Sequence, residues 1–376
     1  MSGLDSAQYP SSNLQGSYGW TDTLKGVYYG PGSLATALPK LLQTLGGTKA
    51  LVVTGRSLHD KKVENVLKQH NAYGGTFYEI GQHSPVSGIQ NGLKAFKAAS
   101  ADIIVSVGGG SPIDASKAIL FFYQQKGRGL SPADRDPDHV GAGYTNEEGK
   151  KVAVSSPQLA PAGIILDAEL TLATPDRLWL STGMRAVDHA VENLYRPLVP
   201  PPIKYLCFAA LADLFEYLPK SKASPQDINV RQKLQIASWM SLWPLKLEKY
   251  SALGLSHALG HKLGATYSIP HGITSCLTLG PTVALKAQVA SQEDKEWLSK
   301  ALFYLREQNT GSLEGDVLKL SGLINGLVKE LGLESNLEEY KVPRTDVPKI
   351  AELAVGSKDD PTFPGVVKLL EGLYPN

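Results

Sequence analysis

Four of the eight histidines in this 376-residue chain are spaced as metal ligands could be. His257 and His261 are four residues apart in a helical pattern, so they would share one helix face. His271 follows shortly afterwards, and His189 lies on an earlier predicted helix. Because neutral imidazoles bind zinc and iron, His189, His257 and His271 are candidate metal ligands. His261 is a candidate proton carrier, and the alternative for each histidine is a hydrogen-bonded structural role.

A run of three glycines, 108–110, is a second chemical signal. It follows an apolar, strand-like stretch and precedes a helical pattern in which Ser111 is predicted as the N-cap and Asp114 as the capping-box residue. Backbone N–H groups at a helix N-terminus attract phosphate, and glycine has no Cβ to keep a phosphate away. The stretch therefore predicts a pyrophosphate site, the alternative being an ordinary tight turn between a strand and a helix.

The end of an earlier buried strand, at residues 48–54, bears on the choice of cofactor. A strand that binds the adenosine ribose of NAD usually ends in an acidic residue, which accepts the ribose hydroxyls and repels a 2′-phosphate. Gly55 occupies that position here and is followed by Arg56 and Ser57. We therefore expect NADP(H), or both NADP(H) and NAD(H), with Gly55 in the cofactor site; the alternative is an exposed turn.

Two kinds of structure must position these groups. In residues 1–167, apolar runs alternate with helical stretches, which predicts a Rossmann-like α/β domain with a parallel sheet covered on both faces. Residues 168–376 show helical patterns, which predict an all-α domain carrying the histidines, with the site expected in the cleft between the domains. The polar stretch 124–148, rich in glycine and proline, is predicted to be a long loop.

The composition predicts a globular protein that acts on small molecules. At 376 residues the chain is too long for one compact core, so two domains are expected. Hydrophobic residues make up 42% of the chain and charged residues 19%. Lys and Arg number 37 and Asp and Glu 36, a balance that does not favour binding to nucleic acid or a membrane. Two cysteines are too few for a disulfide framework, and neither a signal peptide nor a membrane-spanning run is evident. We therefore expect a cytoplasmic location.

Several ordered segments resemble those of the iron-containing (group III) alcohol dehydrogenases. The first is Gly-Gly-Gly-Ser-x-x-Asp-x-x-Lys at 108–117; the second is Gly-Met-x-Ala-x-x-His-Ala-x-Glu at 183–192. The others are Gly-Leu-x-His-x-x-x-His-x-Leu-Gly at 254–264 and Pro-His-Gly at 270–272. The resemblance implies the α/β plus all-α architecture and a metal held by residue 185, His189, His257 and His271, with His261 relaying a proton. It also implies that the cofactor site includes the following residues: Gly109, Gly110, Ser111, Asp114 and Lys151.

The first departure from the family pattern is Arg185, which stands where the family has a metal-binding aspartate. A guanidinium has no lone pair to offer and stays protonated. At about 4 Å it would repel a divalent ion by roughly 8 kcal/mol at an effective dielectric constant of about 20. We therefore predict no tightly bound iron or zinc, and expect Arg185 to polarise a carbonyl or hold a carboxylate. The maleylacetate reductase branch, which this sequence resembles more, also lacks that aspartate.

The second departure is a Pro-Thr-Thr type segment that the family places before the strand containing Lys151, and that the interval 130–139 lacks. The leading expectation is an NAD(P)H-dependent reductase of a small carbonyl or enone, such as a maleylacetate-like compound or an aldehyde, acting as a homodimer. The missing segment and Arg185 favour as alternatives a non-redox lyase or isomerase and a catalytically impaired family member. A third alternative is the zinc-dependent branch of sugar-phosphate cyclases and polyol-phosphate dehydrogenases.

Overall fold

The computed structural model describes residues 23–55, 61–80, 85–128, 141–145, 151–155, 159–243 and 251–375. These residues form two compact units. The first contains the described residues up to Thr174, and the second contains those from Pro175 onwards.

The first unit is an α/β structure. Its strands are β1 (Gly26–Tyr29), β2 (Ala50–Thr54), β3 (Tyr73–Phe77), β4 (Ile103–Val107), β5 (Gly141–Thr145), β6 (Lys151–Ser155) and β7 (Gly163–Leu166). Its helices are α1 (Leu34–Leu45), α2 (Lys61–Gln69), α3 (Val86–Ala98), α4 (Gly110–Arg128) and α5 (Ala168–Thr171).

Strand β2 lies in the middle of a parallel three-stranded sheet of order β3-β2-β4, and β1 pairs in parallel with β7. Side chains alternate along β2, so Leu51 and Val53 pack with residues of α3 and α4, while Ala50 and Val52 pack with residues of α1 and α2. Both faces of the strand are therefore buried, which is why it reads as a continuous apolar run. The predicted parallel sheet with helices on both faces is confirmed.

Strands β2 and β4 end side by side, because Thr54 pairs with Val107. Gly55 and the glycine run therefore follow at the same edge of the sheet, where Gly108 has a φ of +134°, a conformation that favours glycine. The predicted N-cap at Ser111 is wrong. Helix α4 already begins at Gly110, and the Ile113 N–H donates to the Gly109 carbonyl at 3.3 Å, so the glycines form part of the first turn.

The prediction of a loop over residues 124–148 is also wrong in part. Helix α4 continues to Arg128, and β5 pairs antiparallel with β6, joining Tyr144 to Val152. The Tyr144 ring packs edge-on against Phe122 with centroids 5.7 Å apart, so one aromatic side chain attaches a polar, glycine-rich strand to the helix. The remaining parts of the predicted loop lie outside the described residues, as do Arg56, Ser57 and the first 22 residues.

The second unit is helical, as predicted. Its helices are α6 (Asp176–Tyr195), α7 (Pro201–Ala223), α8 (Ile228–Ser241), α9 (Leu255–Tyr267), α10 (His271–Val289), α11 (Gln292–Tyr304), α12 (Leu313–Leu331), α13 (Val347–Val355) and α14 (Phe363–Glu371), with a 3-10 turn at Arg344–Asp346. Within the described ranges, no helix combines the length and the apolar character needed to cross a bilayer.

Glycines let α10 approach its two neighbours closely. A Cβ on Gly272 would lie 2.4 Å from the Ser181 carbonyl oxygen on α6. Likewise, a Cβ on Gly260 of α9 would lie 2.8 Å from Thr274 Oγ1 on α10. Since real Cβ contacts are longer than this, only glycine fits at either position. The result is that α6, α9 and α10 bring their polar side chains to one place.

Candidate functional site

The four predicted histidines form a continuous row across α6, α9 and α10. The ring centroids of His189 and His257 are 4.8 Å apart, those of His257 and His261 6.3 Å, and those of His261 and His271 6.0 Å. His257 is the most enclosed, with 4% of its surface exposed, whereas His261 is exposed. The sequence pattern therefore identified a real cluster, with one member accessible to solvent and one deeply buried.

The start of α9, which positions His257, depends on a carboxylate from α6. The helix begins after Gly254 with no side-chain cap of its own. Instead, Glu192 accepts hydrogen bonds from the Ser256 N–H at 2.8 Å and the His257 N–H at 3.4 Å. A Cβ on Gly254 would lie 2.6 Å from the Glu192 carboxylate, so glycine is required here for the cap to form. Glu192 also accepts from the Tyr195 hydroxyl at 3.0 Å.

The same carboxylate determines which nitrogen of His257 carries a proton. His257 Nδ1 lies 2.8 Å from a Glu192 oxygen and 3.4 Å from Asp188 Oδ1. Since carboxylates only accept hydrogen bonds, we assign the proton to Nδ1. His257 Nε2 is buried and has no hydrogen-bond partner among the described residues. Burial lowers the pKa of His257, but the neighbouring Asp188 carboxylate outweighs it and raises the pKa above its usual value.

Arg185 is held between α6 and α10. Its Nη1 donates to Asp188 Oδ2 at 3.3 Å and to Ser275 Oγ at 3.1 Å, and the Ser275 hydroxyl in turn donates to Asp188 at 2.5 Å. Burial raises the pKa of Asp188, but the positive character of His257 overcomes this and brings it to about 2. Burial, with His257 and Arg185 nearby, pushes the pKa of His189 well below its usual value. The site therefore contains an ion pair beside a neutral imidazole.

Metal donors lie on both sides of His257. The ligand atoms of Asp188, Glu192 and His257 all lie within 4.8 Å of one another, so this group could hold a metal ion. Both Glu192 oxygens and Asp188 Oδ2 already accept hydrogen bonds, whereas the buried Asp188 Oδ1 has no hydrogen-bond partner among the described residues. On the other side, the neutral His189 and the buried Nε2 of His257 are suitable donors.

A tight iron or zinc site of the kind implied by the resemblance does not fit this donor set. The position of its carboxylate ligand belongs to Arg185, a cation without a lone pair, and that cation is fixed in the cluster by an ion pair with Asp188. The role of His189, His257 and His271 as metal ligands stays a prediction.

The predicted cofactor residues lie in the first unit. A Cβ on Gly55, Gly109 or Gly110 would meet no atom of the described residues within 4 Å, so in that part of the chain the backbone at this edge of the sheet is open to a ligand. Ser111 and Asp114 lie in the first turns of α4, whereas Lys151 begins β6 opposite Thr145. The structure thus brings Gly55 and the glycine run together, and the contacts of all these residues with a cofactor stay predictions.

The sequence analysis did not assign to the site the polar residues that contact His257 and Arg185. Asp188 and Glu192 lie three residues after Arg185 and His189 respectively, on the same helix, and both are fully buried. The available signal was the spacing itself, since residues three apart on a helix share a face. Ser275 carried no comparable signal, because its contact with Arg185 spans 90 positions of the chain.

Comparison with known proteins gives two family matches that together cover most of the chain. The model for "Iron-containing alcohol dehydrogenase" matches residues 25–168, and the model for "Fe-containing alcohol dehydrogenase family, C-terminal" matches residues 179–368. Maleylacetate reductase 1 of Cupriavidus pinatubonensis is 25% identical over 329 residues, 88% of each chain. The 1,3-propanediol dehydrogenase of Klebsiella pneumoniae is 28% identical over 364 residues, 89% of this chain and 92% of that one.

Solved structures show the same fold. A 1,3-propanediol oxidoreductase superposes with a TM-score of 0.82 at 24% identity, covering 96% of this chain and 100% of the other. The maleylacetate reductase of Agrobacterium tumefaciens superposes with a TM-score of 0.76 at 24% identity, covering 96% and 99%. Their shared architecture is the α/β unit followed by a helical unit described above.

Proposed function

Because the chain belongs to the iron-containing alcohol dehydrogenase family of oxidoreductases, we propose that it is an NAD(P)H-dependent reductase that works without a bound metal ion. Its substrate is a small carbonyl or enone compound, either maleylacetate-like or an aldehyde. The observation that carries this proposal is the Arg185 guanidinium, fixed by Asp188 and Ser275 within the histidine cluster. Relatives named as maleylacetate reductase and as 1,3-propanediol dehydrogenase support the two substrate classes.

A bound NAD(P)H would supply a hydride to an electrophilic carbon of the substrate and would itself be oxidised to NAD(P)⁺, while the electron pair of the substrate double bond would move onto the substrate oxygen. Arg185 stabilises the negative charge that develops on that oxygen, because a fixed cation in a poorly hydrated site is worth more than one in water. The Arg185 side chain is only 15% exposed, which satisfies that condition.

Protonation of the substrate completes the reduction, and we assign this step to His261. It is the exposed member of the histidine row, so it can exchange protons with solvent while lying next to His257 and His271 in the row. His257 is less suited, because its Nδ1 proton is engaged by the Glu192 carboxylate.

The proposed cofactor site is the open edge formed by Gly55, Gly109 and Gly110, with Ser111, Asp114 and Lys151. No atom in the described ranges lies within 4 Å of a Cβ at the three glycines, which supports close approach of a pyrophosphate. We further propose a cytoplasmic homodimer whose ligands are small molecules rather than nucleic acid or membrane.

The test is consumption of NADPH and NADH by the purified protein with maleylacetate and with a small aldehyde. The Arg185→Ala variant should lose most of the activity while its cofactor affinity, measured by calorimetry, is unchanged. Arg185→Lys is the matched control, since it keeps the charge but not the planar fork, and we expect partial activity. Activity that survives Arg185→Ala would contradict the assignment of the guanidinium.

Two departures from the family pattern also favour a second candidate, a non-redox lyase or isomerase built on the same scaffold. They are Arg185 in place of the family's aspartate and the missing Pro-Thr-Thr type segment. Calorimetry distinguishes the two candidates. No heat with millimolar NADH or NADPH would eliminate the reductase and leave the second candidate.

A further inference from the structure

Asp188 connects the three helices that form the site. Its side chain is 0% exposed, and its Oδ2 accepts hydrogen bonds from Ser275 at 2.5 Å, from Ser256 at 3.1 Å and from Arg185 at 3.3 Å. The first donor lies on α10, the second on α9 and the third on α6. The Ser256 hydroxyl is also 2.8 Å from that of Thr278, which ties α9 to α10 a second time. A displacement of Asp188 would therefore disturb all three helices.

Arg185 is bound by this network along one edge only. Both of its hydrogen bonds to described residues come from Nη1, and Nη2 and Nε donate to none of the residues that the structure describes. A guanidinium is planar, so fixing Nη1 in two directions restricts where the other two nitrogens can lie. Those nitrogens are the donors left for a ligand.

We propose that Asp188 is a positioning residue for the reductase reaction. It fixes the Arg185 guanidinium through Nη1, with Ser275 as the second acceptor, so that Nη2 and Nε are held ready for the substrate oxygen. The inference rests on the proposed function, because Arg185 is assigned there to the negative charge that develops on that oxygen.

The direction in which Asp188→Asn changes kcat separates a positioning role from a purely electrostatic one. Asp188 is an anion close to the place where negative charge develops, so through space it opposes the reaction. If charge were its only contribution, Asp188→Asn would raise kcat. If Asp188 positions Arg185, the same substitution lowers kcat, because a small misplacement of a group that stabilises the transition state is costly.

The experiment compares steady-state kinetics of the unmodified protein with those of single and double variants. Asp188→Asn should lower kcat by at least about 10-fold, a moderate fraction of what a misplacement near 1 Å costs, with KM for the cofactor unchanged. In an Arg185→Ala background, Asp188→Asn should cause no further loss, because the residue that it positions is gone. Ser275→Ala should lower kcat less, since one of two acceptors remains.

Thr282→Val is the matched control. Thr282 is a fully buried hydroxyl on α10, and its Oγ1 lacks a hydrogen-bond partner within the described part of the chain, so kcat should not change. If Asp188→Asn does not fold, Ser275→Ala carries the test, because it removes one of the two acceptors of Arg185 Nη1 without leaving a charge unpaired.

The outcomes separate the two proposals. An unmodified protein that consumes neither NADPH nor NADH overturns the proposed function, and the positioning role falls with it. An active protein in which Asp188→Asn keeps or raises kcat, or lowers it further in the Arg185→Ala background, overturns the positioning role alone. An active protein in which Ser275→Ala is indistinguishable from the control does the same.

Discussion

Replacing Glu192 by glutamine should lower the free energy of unfolding by weakening the structure around His257. The hydrogen bonds of Glu192 give the size of this loss. Glu192 accepts four hydrogen bonds, from the backbone N–H groups of Ser256 and His257, from His257 Nδ1 and from the Tyr195 hydroxyl. A glutamine has one acceptor oxygen and one donor NH₂ group, so it cannot satisfy four donors. At least one buried N–H would then lack an acceptor.

The expected loss in the free energy of unfolding follows from these four bonds. A buried donor without an acceptor costs about 1–3 kcal/mol, and each bond retained by the neutral amide is about 1 kcal/mol weaker than the bond to a carboxylate. For three retained bonds the sum is about 4–6 kcal/mol. His257 should also change tautomer, because the amide NH₂ would face Nδ1 and favour a proton on Nε2.

Urea denaturation measures the free energy of unfolding, and the ¹⁵N chemical shifts of labelled imidazoles report the tautomer. Glu216→Gln is the matched control, since Glu216 makes an exposed ion pair with Lys220 at 2.7 Å, and we expect no measurable change there. A Glu192→Gln variant whose stability stays within about 1 kcal/mol of the unmodified protein, the scale of one ordinary hydrogen bond, would refute the reasoning. An unchanged tautomer would refute its second part.

Three further predictions concern metal, pH and packing. Elemental analysis should find well below one zinc or iron ion per chain in the unmodified protein. It should find more in the Arg185→Asp variant, which replaces a cation with a carboxylate ligand. A full equivalent of metal in the unmodified protein would contradict the metal-free proposal. Burial lowers the pKa of Lys204 to about 8 from the usual 10.5. Between pH 8 and pH 10.5 the unfolded chain therefore binds more protons than the folded chain, so the free energy of unfolding should rise with pH, by at most about 3 kcal/mol. Denaturation of the unmodified protein and of Lys204→Met across that range checks this, because the difference between them should show the slope. Gly272→Ala should lower the melting temperature by several degrees, since its Cβ would meet Ser181 backbone atoms within 2.5 Å. Gly322→Ala on α12 is the control and should be neutral or stabilising, because a Cβ there meets no described atom within 4 Å. Equal melting temperatures of the two variants would contradict the packing argument.

Much of the fold was predictable because its signals are local. The continuous apolar run at β2 indicated a strand buried on both faces, and the spacing of His257 and His261 indicated a shared helix face. The N-cap at Ser111 was predicted wrongly because glycine can also adopt helical geometry: α4 begins at Gly110, and the Gly109 carbonyl accepts a hydrogen bond from the following turn. The strand at β5 was missed because Tyr144 is the only large apolar residue in its sequence, Gly-Ala-Gly-Tyr-Thr.

The polar partners in the site were not predictable, because a sequence pattern records periodicity and not the choice of distant partners. Glu192 bonds to a backbone group 64 positions later, and Asp188 bonds to a serine 87 positions later. Each contact depends on how closely the helices approach, which in turn depends on the glycines at their crossings. Arg185 and its spacing to Asp188 were visible in the sequence, but its contact with Ser275, 90 positions away, required coordinates.

The long-range cap on α9 has a consequence for how the chain is made. A ribosome releases α6 well before α9, so Glu192 has the nearby Tyr195 hydroxyl as a donor early, but its donors at the start of α9 are synthesised only about 64 residues later. Arg185 can meet Asp188 at once, since the two are three residues apart. The buried charge of Asp188 is thus paired with Arg185 from the beginning, while that of Glu192 stays solvated until α9 has been translated and docks onto α6.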